Sequence, residues 1–366
     1  MRRLGLLLGL LVGCAQPPPE PAARQVNVLD GREPVVRVHL RSLDPWETLE
    51  VRGKGGLRVR ERSGERPFVT EEAYRLARTA RPVALEPLEG IVTVGGHTFA
   101  GEIRWDGRWL VNHVTLENYV LGVLRGELPL KHVPPDAAAA QAIAVRSFTF
   151  SYLVADRPAF DLDDTTAFQR YVGLRYAPDD AHLREGVRRT TGLYLEDEHA
   201  PLRAYYHSTC GGHTTDVPSG LDRAPVAVMG GVSCPYCEGT RYWRWSAALE
   251  AGPILKAAAL SGPLEAFEVV ETGPGGRATK IRVAGGGREK VLHANQFRRA
   301  YGASALRSTL LLDVARQGDE VRVQGGGWGH GVGLCQLGAI GMAEAGGSGT
   351  EIVAYYYPGA TLRRAY

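Results

Sequence analysis

The chain has 366 residues, enough for one large domain or two ordinary ones with a sizeable core. Its 44% apolar and 23% charged residues are those of a soluble globular protein, and the formal net charge of +3 is small for this length. No dense Lys/Arg run is interleaved with aromatics, so nucleic acid is not an expected partner. Basic clusters at Arg58, Arg60 and Arg62, at Arg184, Arg188 and Arg189, and at Arg363 and Arg364 read as solvated surface.

At the N-terminus, Arg2 and Arg3 precede an apolar run, Leu4 to Gly13, that stops at Cys14. About ten apolar residues are too few to span a bilayer, which takes about 20, so the run reads as an export signal and not as structure. The small residue before Cys14 resembles a lipobox, which implies cleavage and lipidation at Cys14. Residues 1–14 are then the signal segment, and the Pro/Ala-rich residues 15–24 a short extended tether. No later segment is long and apolar enough to cross a membrane. The body is therefore expected outside the cytoplasm, tied to a membrane by lipid.

Residues 25–110 alternate in short apolar runs broken by glycine and read as a mostly β lobe. Val36 to Leu40, Leu57 to Arg62, Ile91 to Val94 and the stretch from Phe99 to Leu110 predict strands, with turns at Gly95-Gly96 and Asp106-Gly107. The alternation puts Arg58, Arg60 and Arg62 off the core face. From Val114 the period changes. Thr115 can cap a helix carrying Leu116, Tyr119, Val120, Val123 and Leu124; Gly126 ends it, and Glu127-Leu128-Pro129 follows as a loop. A second helix is expected from about Asp136 to Leu153. Strands follow at Phe267 to Val270, Lys280 to Val283 and Glu320 to Val323. The last predicted elements are a glycine-rich run, Gly325 to Gly333, and helices at Leu334 to Ala345 and Thr350 to Tyr357. The fold class is α+β, with an N-terminal β lobe and a mixed body over residues 111–366.

Four islands carry the chemistry. They are Gly126-Glu127-Leu128-Pro129 with Gln141 to Arg146; Asp164 to Gly173; His207-Ser208-Thr209-Cys210-Gly211-Gly212-His213-Thr214; and Gly327 to Ala339. The glycine-rich run lacks the Lys-Ser/Thr pair of a P-loop and has no dinucleotide-binding context. Its glycines suit close backbone approach and positive φ. Cys210-x2-His213 and Cys234-x2-Cys237 each put two ligands on one turn and together can close a four-ligand zinc site. His207 can replace His213 as the fourth ligand. A disulfide, which an oxidising compartment favours, stays open as the rival.

In their order and mixed residue types, the four islands resemble the stage II sporulation protein D family, which includes the amidase enhancers. The resemblance runs from about Val111 to the C-terminus. It implies a peptidoglycan lytic transglycosylase acting on glycan strands whose stem peptides an amidase has removed. In that chemistry one carboxyl suffices. Glu127 would protonate the glycosidic oxygen, then take a proton from the same sugar's hydroxyl as a 1,6-anhydro ring closes. A raised pKa is needed, which Val123, Leu124, Leu128 and Leu130 favour and a nearby Arg125 would oppose. The resemblance also implies a glycan groove drawn from Arg146, Gln169, Tyr171, His207, Trp328, His330 and Gln336. Arg146, Gln169 and Tyr171 read equally as a buried network. Phe168 departs from the family pattern, and Cys335 stands where a small residue is expected and reads as a buried thiol. Zinc occurs in some members, and all-protein ligation would make it structural here. Two alternatives remain: a non-catalytic glycan-binding protein that recruits or stimulates an amidase, and a zinc hydrolase built on the Cys/His group.

Overall fold

The computed structural model describes residues 31–366 apart from 62–65, 130, 132, 155–158 and 175–179. The signal segment, Cys14, the tether, Arg62 and Leu130 lie outside the described residues. Ten strands lead the chain: β1 (Val35–His39), β2 (Thr48–Gly53), β3 (Leu57–Glu61), β4 (Phe68–Thr70), β5 (Tyr74–Ala77), β6 (Val83–Pro87), β7 (Ile91–Val94), β8 (His97–Ala100), β9 (Glu102–Trp105) and β10 (Leu110–Thr115). With the later β11 (Leu162–Asp163), they form a seven-stranded sheet in the order β11-β1-β10-β9-β6-β3-β4 and a four-stranded sheet β5-β2-β7-β8. The alternation behaves as expected: Leu57 and Val59 are buried while Arg58 and Arg60 are exposed. Those arginines pair with Glu86 at 3.1 Å and Glu102 at 2.7 Å, a laced outer face.

The chain is a mixed α+β protein in which strands dominate the N-terminal region and helices gain weight after it. Helix α1 (Leu116–Glu127) follows β10 directly and α2 (Pro135–Leu153) lies against it. Both share one apolar core with the strands, from Val36 and Ile103 to Val123 and Val145. Thr115 precedes α1 but makes no capping bond through its side chain. Glu33 supplies that anchor instead, its Oε1 accepting from the Glu117 N–H at 2.8 Å. A carboxylate also suits the positive end of the helix.

Helix α2 is buried along almost its whole length, and its alanines let neighbours approach closely. The first is α3 (Ala181–Arg189), followed near the C-terminus by the helix Gly349–Tyr356. Arg146 is fully buried within this packing. Its guanidinium grips Glu117 through both carboxylate oxygens, at 2.8 and 2.6 Å, and also reaches Thr190 Oγ1 and the Val187 carbonyl. Arg146→Met removes these bonds but leaves Glu117 half-buried, with the Gly192 N–H and the Tyr366 hydroxyl still donating to it, so the expected cost is about 1–3 kcal/mol of stability by urea denaturation.

Beyond residue 240 two three-stranded sheets, one with the strands Trp245–Glu250, Leu310–Gln317 and Glu320–Gly326, enclose a separate core around Phe267, Ile281 and Phe297. A third core gathers Cys210, Cys234, Cys237, Cys335 and Tyr356. Among the described residues, no helix is long and apolar enough to cross a membrane.

Candidate functional site around Glu127

Glu127 is the last residue of α1 and not a loop residue, because the helix does not stop at Gly126. The Leu128 N–H still donates to the Leu124 carbonyl at 2.9 Å. Gly126 serves a different end. A Cβ there would lie 2.1 Å from the Arg170 carbonyl oxygen, so the missing side chain lets the segment 169–173 lie on the helix. That approach delivers the Arg170 backbone N–H to Glu127 Oε1 at 2.8 Å.

The Glu127 carboxyl is half-buried, and burial holds its pKa above the ordinary carboxylate range. The Arg170 N–H and guanidinium and the nearby Gln336 side chain oppose that shift without cancelling it. Arg125 takes no part: it is buried against Asp180, to which its Nε donates at 2.7 Å. Gln336 opens the helix Gln336–Glu344 and brings the fourth island to the first. Tyr206 lies close enough for a charge on Glu127 to raise its own pKa. Sequence reasoning passed over Arg170 and Tyr206. Their signal was adjacency, since each neighbours a residue already singled out.

Gln169 and Tyr171 are buried beneath this carboxyl. Gln169 Nε2 donates to Tyr119 Oη at 3.2 Å and Thr149 Oγ1 at 3.1 Å, and its Oε1 accepts from Tyr206 Oη at 3.0 Å. Tyr171 pairs with Asn112 at 2.9 Å and stacks on Tyr119. These two residues form the buried network and not an open groove lining. Arg146 sits at the other end of α1, on Glu117, ten residues before Glu127 and so about 15 Å along the axis. It does not orient Glu127.

The strand Tyr206–His207 pairs in parallel with Leu334–Cys335, which joins the third island to the fourth. His207 is buried, its Nδ1 3.1 Å from the Val332 carbonyl, and its Nε2 has no hydrogen-bond partner among the described residues. His330 lies 5.6 Å away, ring to ring, and accepts from the Val332 N–H through Nδ1. Burial lowers the pKa of both imidazoles, His330 to about 3, so both are neutral at physiological pH. Trp328 is half-buried and meets the Tyr242 ring edge-on at 4.4 Å. The glycine-rich run is packed by protein. A Cβ on Gly331, which has φ +86°, would come 2.3 Å from Arg277 Nε.

The cysteine cluster differs from the expected ligand set. Cys210, Cys234, Cys237 and Cys335 are all buried, with sulfurs within 4.8 Å of one another. His213 stands outside, its Nδ1 turned to the Thr214 carbonyl. Cys335 takes its place because the Tyr206–His207 pairing carries it next to Cys210, whose N–H donates to Cys335 Sγ at 3.2 Å. Four thiols fit a structural zinc site, and four protein ligands leave no position for water or substrate. The four are not joined as disulfides. That donor arrangement does not suit a hydrolytic zinc.

Fold and site thus define an α+β protein in which the half-buried Glu127 carboxyl is linked to a four-cysteine centre through the neighbours Gln336 and Cys335. Residues 106–196 match the model of the stage II sporulation protein family, and residues 237–333 match a domain of unknown function. Stage II sporulation protein D of Bacillus amyloliquefaciens is 29% identical over 271 residues, 70% of this chain and 76% of the relative. An uncharacterized protein of Brachyspira hyodysenteriae is 28% identical over 290 residues, 76% of each chain. The amidase enhancer of Bacillus subtilis is 40% identical over 68 residues, 19% of this chain and 10% of the relative. Residues 106–196 thus carry the stage II sporulation protein domain, and the likeness to stage II sporulation protein D extends over most of the chain.

Proposed function

We propose that the protein holds peptide-free glycan strands of the bacterial cell wall at the surface around Glu127 and works there beside a cell-wall amidase. One observation carries this reading: Arg170 of the second island and Gln336 of the fourth meet at the Glu127 carboxyl of the first, and the Tyr206–His207 strand pair ties the third island to the fourth. Trp328, His330 and Gln336 are the candidates to touch the sugar, and His207 backs His330. Gln169, Tyr171 and Arg146 hold the frame behind them. The relative named amidase enhancer supports the partner. Residues 111–366 form the glycan-handling body in this proposal, and lipidation at Cys14 ties it to a membrane outside the cytoplasm.

A second reading, strand cleavage, is favoured by the raised pKa of Glu127. A carboxyl that keeps its proton can protonate the glycosidic oxygen as the bond to it breaks. The carboxylate left behind then takes the proton of the sugar's 6-hydroxyl while that oxygen closes the 1,6-anhydro ring, so the step consumes no water. Glu127 serves both proton transfers, and the Arg170 N–H keeps its charged form from being too costly.

The test of the main reading is binding. Purified protein is expected to retain amidase-treated glycan and to raise amidase turnover on intact peptidoglycan. Absence of both retention and stimulation would refute it.

A further inference from the structure

We infer that Arg277 is the counter-ion of an anionic four-thiolate metal centre. Arg277 is fully buried, next to the cysteine cluster. Its Nη2 donates to the Cys210 carbonyl at 2.6 Å and its Nη1 to the Gly329 carbonyl at 3.4 Å, while its Nε has no partner. No carboxylate pairs with it among the described residues. The groups near enough to act on its charge are the sulfurs of Cys210, Cys335 and Cys237. A buried guanidinium beside neutral thiols would be an uncompensated charge, which proteins avoid. Four thiolates around a divalent cation carry net negative charge and remove that conflict.

The surroundings of the sulfurs agree. Backbone N–H groups of Cys210 and Gly338 donate to Cys335 Sγ at 3.2 and 3.3 Å, and that of Gly212 donates to Cys210 Sγ at 3.4 Å. The Tyr356 hydroxyl lies 3.0 Å from Cys234 Sγ. Sulfurs used as acceptors on several sides are what ligating thiolates need from their outer shell. Zinc–sulfur bonds of about 2.3 Å put tetrahedral sulfurs about 3.8 Å apart. The cluster brackets that value, with 3.4 Å between Cys210 and Cys237 and an upper bound of 4.8 Å. Because Gly331 folds against Arg277, the same charge pair fixes the loop carrying Trp328 and His330.

The inference goes beyond the glycan reading and is tested apart from it. Zinc affinity of the full chain is measured by competition with a chromogenic chelator, and thermal unfolding is followed with and without zinc, for wild type, Arg277→Met and Arg277→Lys. Arg277→Met is expected to weaken zinc binding about 10–100-fold, the usual cost of losing an outer-shell partner. Arg277→Lys, which keeps the charge, should stay within about tenfold of wild type. In the zinc-free chain Arg277→Met should unfold no earlier than wild type, since it removes a charge without a partner. Equal zinc affinity in wild type and Arg277→Met would overturn the inference. So would equal destabilisation with and without zinc, or wild type that binds no zinc because its cysteines are disulfide-linked. If Arg277→Met does not fold, Arg277→Lys decides: a loss beyond about a hundredfold contradicts a role through charge.

Discussion

Glu127→Gln is expected to slow the appearance of 1,6-anhydro ends on amidase-treated glycan by about 10²–10⁴-fold, the usual worth of a positioned acid–base group. Binding of the same strands should change little, because the amide keeps the shape and the Arg170 N–H can still donate to its oxygen. Wild type should be most active while the carboxyl holds its proton, with activity falling as pH rises through its elevated pKa. Stability should follow the same group. Burial holds the folded pKa above that of the unfolded chain, so the folded form keeps a proton that the unfolded form has lost. The contribution is complete below the unfolded value, about 4.3, and is lost as pH rises through the folded one. Glu127→Gln should therefore be at least as stable as wild type at neutral pH, by urea midpoints. If wild type binds glycan yet makes no anhydro ends, cleavage is refuted and the binding role beside an amidase remains.

Removing the metal should have the largest effect on stability. Chelation, or Cys335→Ser, is expected to lower Tm by roughly 10 °C or more, since binding at a structural thiolate site contributes directly to folding. Cys335 also caps the helix Gln336–Glu344, its Sγ accepting from the Gly338 N–H at 3.3 Å. Its loss thus loosens Gln336, and glycan binding should fall together with stability. Loss of function at unchanged Tm would show instead that the metal acts chemically, the outcome expected of a zinc hydrolase.

The strands and helices were legible because their burial follows simple periods. Leu57 and Val59 turn inward while Arg58 and Arg60 turn out, and Pro135 opens α2 one residue before the expected start. The end of α1 was misread for a reason that sequence hides. Gly126 looked like a stop signal, yet its lack of a side chain admits Arg170 from 44 positions away. The ligand set was misread similarly. Cys-x2-His and Cys-x2-Cys spacings are local, whereas Cys335 arrives through a parallel strand pair across the fold. Gln169 and Tyr171 carried both a sugar-binding and a buried reading, and only three-dimensional packing separates them. Arg277 offered no pattern at all, since its meaning lies in the absence of a carboxylate around it.

Hydrogen exchange of the full chain, with and without saturating amidase-treated glycan strands, tests most directly whether glycan is held around Glu127. Slowed exchange is expected in the segments containing Glu127, Arg170, Trp328 and Gln336. Protection confined to the strands of residues 35–105, or no protection at all, would contradict it.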